Sequence, residues 1–155
     1  MLKQPILRQP VVRTVAAISL GAIAGALSRY YFGLTMNQFL GIEVPYSTLV
    51  INVTGCFVMG FLATLSLGQV ISVHPDIRLL LLTGFLGSYT TFSSYELDSA
   101  HLLQQERLGA DLFYWVGSVT LGLMSLQFGL SLAAWLLGKL DPAGETLYKG
   151  DRSNR

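Results

Sequence analysis

Charge is the scarcest thing in this chain. Asp, Glu, Lys and Arg make up 12% of its 155 residues, where a soluble domain carries about a quarter, too little to solvate a globular surface. The charges nearly cancel, leaving a net +1. No basic patch outside the ends of the chain can follow a phosphate backbone, which excludes a nucleic-acid partner. Cysteine is rarer still. Cys56 stands alone, so no intramolecular disulfide can form, no zinc spacing exists and the thiol reads as a small buried hydrophobe. Phosphate-cradling loops, nucleophile elbows and nucleophile–base pairs are all missing, and an enzyme is not expected.

What fills the chain is hydrophobic residues, 52% of the total, gathered in four blocks. These are Val11–Leu34, Ser47–Leu67, Ile77–Ser99 and Phe113–Leu137, each near the ~20 residues that cross a hydrocarbon core. Links between blocks are short. The predicted architecture is an all-α integral membrane protein of four transmembrane helices in a lipid bilayer, with a lead-in at 1–10, a membrane domain at 11–140 and a polar tail at 141–155. The first block follows basic residues and contains Ala24-Gly25-Ala26. It nevertheless outlasts the roughly 7–15 residues of a signal-peptide core, so cleavage is not expected. Four crossings place Lys3, Arg8, Arg13, Arg78, Lys139, Lys149, Arg152 and Arg155 on one side, against Arg29 and Arg107 on the other. The positive-inside rule favours a cytoplasmic place for the richer side, although Lys149, Arg152 and Arg155 lie in the distal tail and count less, which softens the bias.

One stretch does not belong in an ordinary anchor: Gly84-Phe-Leu-Gly87-Ser-Tyr-Thr90-Thr91-Phe92-Ser93-Ser94-Tyr95. Irregular backbone at membrane depth is tolerated only where protein buries it or where it lines a cavity. Gly84 and Gly87 permit a break in the third helix, and a break frees carbonyl oxygens that suit a hard cation such as Na⁺. Phe92 and Tyr95 lie three apart on one helical face. An aromatic edge is positive, so ring edges turned into a path can solvate an anion.

The other blocks carry weaker signals. Ala17, Gly21, Gly25, Arg29 and Gly33 recur on one face of the first, and Gly21-x-x-x-Gly25 reads as close helix packing. Arg29 reads as a snorkelling side chain beside Tyr30 and Tyr31, or as a contact to carbonyls at a pore mouth. In the second block Thr48, Asn52, Cys56 and Gly60 share a narrow face. Asn52 must hydrogen-bond there, either between helices or to a solute. Ser118, Gly122, Ser125 and Gly129 form a small-residue stripe in the fourth block that reads as packing, with Thr120 on another face.

Three of these segments together resemble the Fluc family of fluoride channels, also called CrcB. The matching elements are Gly21-x-x-x-Gly25-x-x-x-Arg29-Tyr30, Thr48-Leu-Val-Ile-Asn52-Val-Thr-Gly55 and, most specific, Gly84-Phe-Leu-Gly87-Ser-x-Thr90-Thr91-Phe92-Ser93. The resemblance implies an antiparallel, dual-topology homodimer with two pores in a bacterial inner membrane. It implies a Na⁺ at the dimer centre on the backbone carbonyls of Gly87 and Thr90. It also implies a fluoride path past Asn52, Phe92 and Ser93, with Ser118 or Thr120 continuing a hydroxyl track. Tyr95 stands where the family usually has a second phenylalanine, adding a hydroxyl that can donate to fluoride. Ser88 replaces a frequent glycine.

The implied activity is passive export of cytoplasmic fluoride, which enters acidified cells as neutral HF and is trapped on ionising. A proton-coupled multidrug exporter, also built as a four-helix dual-topology dimer, needs an ionisable group at the midplane. The first, second and fourth blocks contain no Asp, Glu or His. A non-transporting membrane subunit would account for the glycines but not for the hydroxyl and aromatic run.

Overall fold

The computed structural model describes residues 10–40, 45–67 and 73–140. The lead-in before Pro10 and the tail at 141–155, with Lys3, Arg8, Lys149, Arg152 and Arg155, lie outside the described residues. Every element is helical: α1 (Pro10–Leu40), α2 (Tyr46–Leu67), a short α3 (Pro75–Arg78), a π-helical segment (Leu79–Leu86), α4 (Gly87–Tyr89), α5 (Phe92–Gln104) and α6 (Leu108–Leu140). Among the described residues, three helices are long and apolar enough to cross a membrane, over Pro10–Phe39, Tyr46–Ser66 and Leu108–Leu140.

α1 starts on Pro10, where a missing N–H costs nothing because the first turn has no acceptor for it. It continues to Leu40, past the end of the apolar block at Leu34. Polar residues at a membrane helix end can stay helical in the headgroup layer, so polarity alone does not mark the stop.

Two close backbone contacts organise the packing. α1 lies along the π segment: a Cβ on Gly21 would sit 2.1 Å from the Leu80 carbonyl oxygen, and one on Gly25 would sit 2.2 Å from that of Phe85. α2 and α6 meet in the same way, with 2.4 Å from a Gly60 Cβ to the Leu126 oxygen and 2.3 Å from a Gly129 Cβ to the Phe57 oxygen. Any side chain at these positions would force the helices apart. This is the small-residue packing that replaces hydrophobic drive inside a bilayer.

The outer surface is aliphatic and aromatic, with Leu20, Ile23, Leu123, Met124 and Phe128 all exposed. A belt of this kind is an aggregation hazard in water and the expected surface in lipid. The internal cluster is small: Tyr95, Leu102 and Tyr114 pack with Leu49 and Ala110, joining α5, α6 and the start of α2.

α5 turns into α6 through a tight reversal. Arg107 N–H bonds to the Leu102 carbonyl and Glu106 N–H to that of Leu103, both at 3.0 Å, the paired bonds of a Schellman cap. Glu106 takes the left-handed conformation this cap requires, with φ 58°, at a position where glycine is the usual residue.

Candidate functional site

The site is built on Thr90 and Thr91, which are extended (φ −78°, ψ 157° and φ −152°, ψ 121°) between α4 and α5. This corrects the expected role of the glycines. Gly84 and Gly87 are both helical. Gly84 is buried, and its Cβ would lie 2.5 Å from the Ile18 carbonyl oxygen, so it serves close packing. The interruption comes three residues after Gly87.

Asn52 of α2 holds the interruption. Its Oδ1 accepts from the Thr91 N–H at 2.8 Å, and its Nδ2 donates to the Thr91 carbonyl at 2.9 Å. One amide thus gives the Thr91 N–H the partner that no helix supplies, and adds a second donor to the N-cap carbonyl that opens α5. Thr91 in turn caps α5, its hydroxyl oxygen accepting from the Ser94 N–H at 3.2 Å and its proton going to Ser94 Oγ at 3.1 Å. Such a cap contributes about 1 kcal/mol.

These bonds have a consequence for two carbonyls. In a continuous helix the Gly87 oxygen would accept from the N–H of Thr91, four residues on, but that N–H is bonded to Asn52. The Thr90 oxygen would accept from the N–H of Ser94, but that one is bonded to the Thr91 side chain. Both carbonyls are therefore left without their helical donors. Space lies open beside Gly87, where an added Cβ would meet nothing within 4 Å.

The two aromatic residues have different surroundings. Phe92 is 73% exposed, whereas Tyr95 is 5% exposed, and their ring centroids are 5.7 Å apart at 39°. Tyr95 packs on Tyr114 at 5.2 Å and donates its hydroxyl to the Trp115 carbonyl at 3.4 Å. Its proton is turned to α6, not held out for a solute as the sequence suggested.

The hydroxyl candidates also separate. Ser118 has a buried Oγ without a hydrogen-bond partner among the described residues, an unsatisfied donor that calls for an explanation. Thr120 is exposed and donates to the carbonyl of Val116 in its own helix at 2.7 Å. Ser93 is exposed, with its Oγ 3.3 Å from that of Thr91.

A cleft of about 520 Å³ opens onto the interruption, lined by Ala26, Arg29, Tyr30, Gly33, Leu34, Asn37, Ser47, Thr48, Ile51, Thr91 and Ser94. Arg29 is half-buried in its wall and makes no bond to a carbonyl among the described residues. A guanidinium in a polar cleft raises the local concentration of anions. Tyr114 escaped the sequence reading altogether. It is 1% exposed and donates to Asp98 Oδ2 at 3.2 Å, while Ser99 Oγ donates to Asp111 Oδ1 at 2.5 Å. The four side chains clasp α5 to α6. The available sequence signal was Tyr114 itself, a polar-tipped ring beginning an apolar block.

A helical scaffold with lipid-facing flanks and a hydrogen-bonded interruption facing a polar cleft defines a multi-pass membrane protein. The chain belongs to the CrcB family: the family model described as CrcB-like protein, Camphor Resistance (CrcB), matches residues 16–130. It is 53% identical over 139 residues to the fluoride-specific ion channel FluC of Trichormus variabilis, covering 90% of this chain and 97% of that one. The protein of the same name from Synechococcus sp. is 48% identical over 124 residues, covering 80% and 95%. That from Chlorobium phaeobacteroides is 39% identical over 116 residues, covering 75% and 89%.

Proposed function

We propose that this protein is a passive fluoride-selective ion channel, not an enzyme, that releases cytoplasmic fluoride across a bacterial inner membrane. The observation that carries the reading is family membership with relatives named as fluoride-specific channels at up to 53% identity. The interrupted backbone adds a physical basis. In this reading four segments cross the bilayer, the third being Pro75–Gln104 with its interruption at Thr90–Thr91. Fluoride gathers in the cleft beside Arg29. It then exchanges water for the remaining N–H of Asn52, the edge of the exposed Phe92 ring, and the hydroxyls of Ser93 and Ser118. A narrow path of neutral donors replaces the hydration shell of a small anion without holding it too tightly to leave. A multidrug exporter is not favoured, because the apolar stretches of α1, α2 and α6 offer no group to carry a coupled proton.

Two copies pair antiparallel. Gly87 and Thr90 of each copy present carbonyls stripped of helical donors, a neutral oxygen set that fits Na⁺. When bound, the ion supplies fixed positive charge and ties the copies together. The exposed Gly87 face, open to a second chain, supports this arrangement.

The test is fluoride efflux from liposomes holding purified protein, with chloride as control. Rapid fluoride release without chloride release is expected, weakening when a much larger cation fully replaces Na⁺. Equal release of both anions would refute the selectivity. Labelling a cysteine placed near the C-terminus, in intact cells, tests the pairing: both orientations are expected, and one alone would exclude an antiparallel homodimer.

A further inference from the structure

Two arginines near the start of α3 stand in opposite circumstances. Arg13 of α1 is ion-paired with Asp76 and lies 3.5 Å from His74 Nε2. Arg78, at the end of α3, has no side-chain partner among the described residues. It lines a narrow cleft of about 120 Å³ between the end of α2 and the π segment, whose walls include Leu62, Leu65, Leu81 and Leu82. The hydroxyl in that wall, on Ser66, is turned back to the Ala63 carbonyl at 3.2 Å. Among the described residues the cleft therefore offers one cation and otherwise hydrocarbon.

That combination is wrong for a small anion, which needs donors on several sides. It is equally wrong for a soluble organic anion, whose polar atoms would be stranded against leucine. A ligand with a phosphate at one end and methylenes below it fits, and the surrounding membrane consists of such molecules. Helix ends are where a headgroup and a guanidinium share one depth. We propose that this cleft binds an anionic phospholipid, its phosphate on Arg78 and the first part of an acyl chain among the four leucines. The lipid would lie between α2 and the π segment, on which α1 packs through Gly21 and Gly25. In an antiparallel pair each leaflet would hold one such site. The assignment is independent of which ion the protein conducts.

The full-length protein, purified in detergent and titrated with phosphatidylglycerol or phosphatidylcholine, gives the test by native mass spectrometry. Phosphatidylglycerol adducts should exceed those of phosphatidylcholine and weaken about fivefold in Arg78→Gln. Arg13→Gln is the matched control, removing the same charge from the arginine that already has a carboxylate, and should leave lipid binding unchanged. Leu82→Trp, which fills the cleft, should lose the adduct; if it does not fold, the exposed Arg78→Gln decides alone. Millimolar inorganic phosphate should not displace the lipid. The proposal is overturned by equal binding of the two lipids, or by parental binding in Arg78→Gln. It is also overturned by equal loss in both arginine variants (bulk attraction only), by displacement with phosphate (a headgroup site only), or by no lipid adduct (a cleft closed by the chain itself).

Discussion

Asn52 and Thr91, 39 residues apart in sequence, are joined by two hydrogen bonds that use the amide oxygen and one amide N–H of the first and both backbone groups of the second. The arrangement copies a strand pair with a single side chain, and it keeps the non-helical N–H of Thr91 satisfied where water is scarce. It also sets the chemistry of the site, since the N–H that Asn52 takes is the one the Gly87 carbonyl would have used.

Asn52→Leu should therefore destabilise as well as silence the channel. The Thr91 N–H loses its partner, at about 1–3 kcal/mol, which a thermal-shift or dimer-elution measurement would register. Asn52→Asp keeps the acceptor for the Thr91 N–H but places a negative charge beside the anion. The fold should survive better than in Asn52→Leu while fluoride flux still fails. Parental flux in Asn52→Asp would contradict the role given to the amide.

Thr91→Val tests the second stripped carbonyl. Without its hydroxyl, Thr91 no longer caps α5, costing about 1 kcal/mol, and the Ser94 N–H is free to return to the Thr90 oxygen. Dependence of flux on Na⁺ should weaken in Thr91→Val and persist in Thr91→Ser, read by titrating Na⁺ against a larger cation.

The aromatic pair separates ring edge from hydroxyl. Phe92→Ile should nearly abolish fluoride flux, because an aliphatic group of similar bulk has no positive edge. Tyr95→Phe should conduct, since the lost hydroxyl bonded only to the Trp115 carbonyl at 3.4 Å. The same efflux assay reads both, and a conducting Phe92→Ile would end ring-edge coordination at that position.

Much of this was legible in the sequence. Four apolar blocks pointed to a membrane protein, Gly21 and Gly25 marked a close packing face, and the hydroxyl and aromatic run located the irregular backbone. The position of the interruption was not legible. Glycine marks where a chain is permitted to bend, but competition for hydrogen bonds decides where it does. Here the competitor is an amide on another helix. The π segment and the burial of Tyr95 and Tyr114 were hidden for a related reason, being set by contacts between elements. From its sequence neighbours Arg29 reads as a snorkelling side chain or as a pore-mouth contact, and only the folded chain brings it into one cleft with Thr91 and Ser94.

Ser118 and Thr120 offer a comparison across two residues of α6. Ser118→Ala should lower fluoride flux several-fold with little loss of stability, since its buried hydroxyl has no partner to lose. Thr120→Val should leave flux near parental, because that hydroxyl already serves the Val116 carbonyl. The reverse ranking in the efflux assay would move the path to the other face of the helix.

The central claim, passive conduction selective for fluoride, is tested most directly by the reversal potential in a planar bilayer. Fluoride and chloride gradients would be set in opposite directions, with pH equal on both sides. The current should reverse at the equilibrium potential of fluoride and stay there when a proton gradient is imposed. Reversal at the chloride potential, or current that follows the proton gradient, would contradict the account.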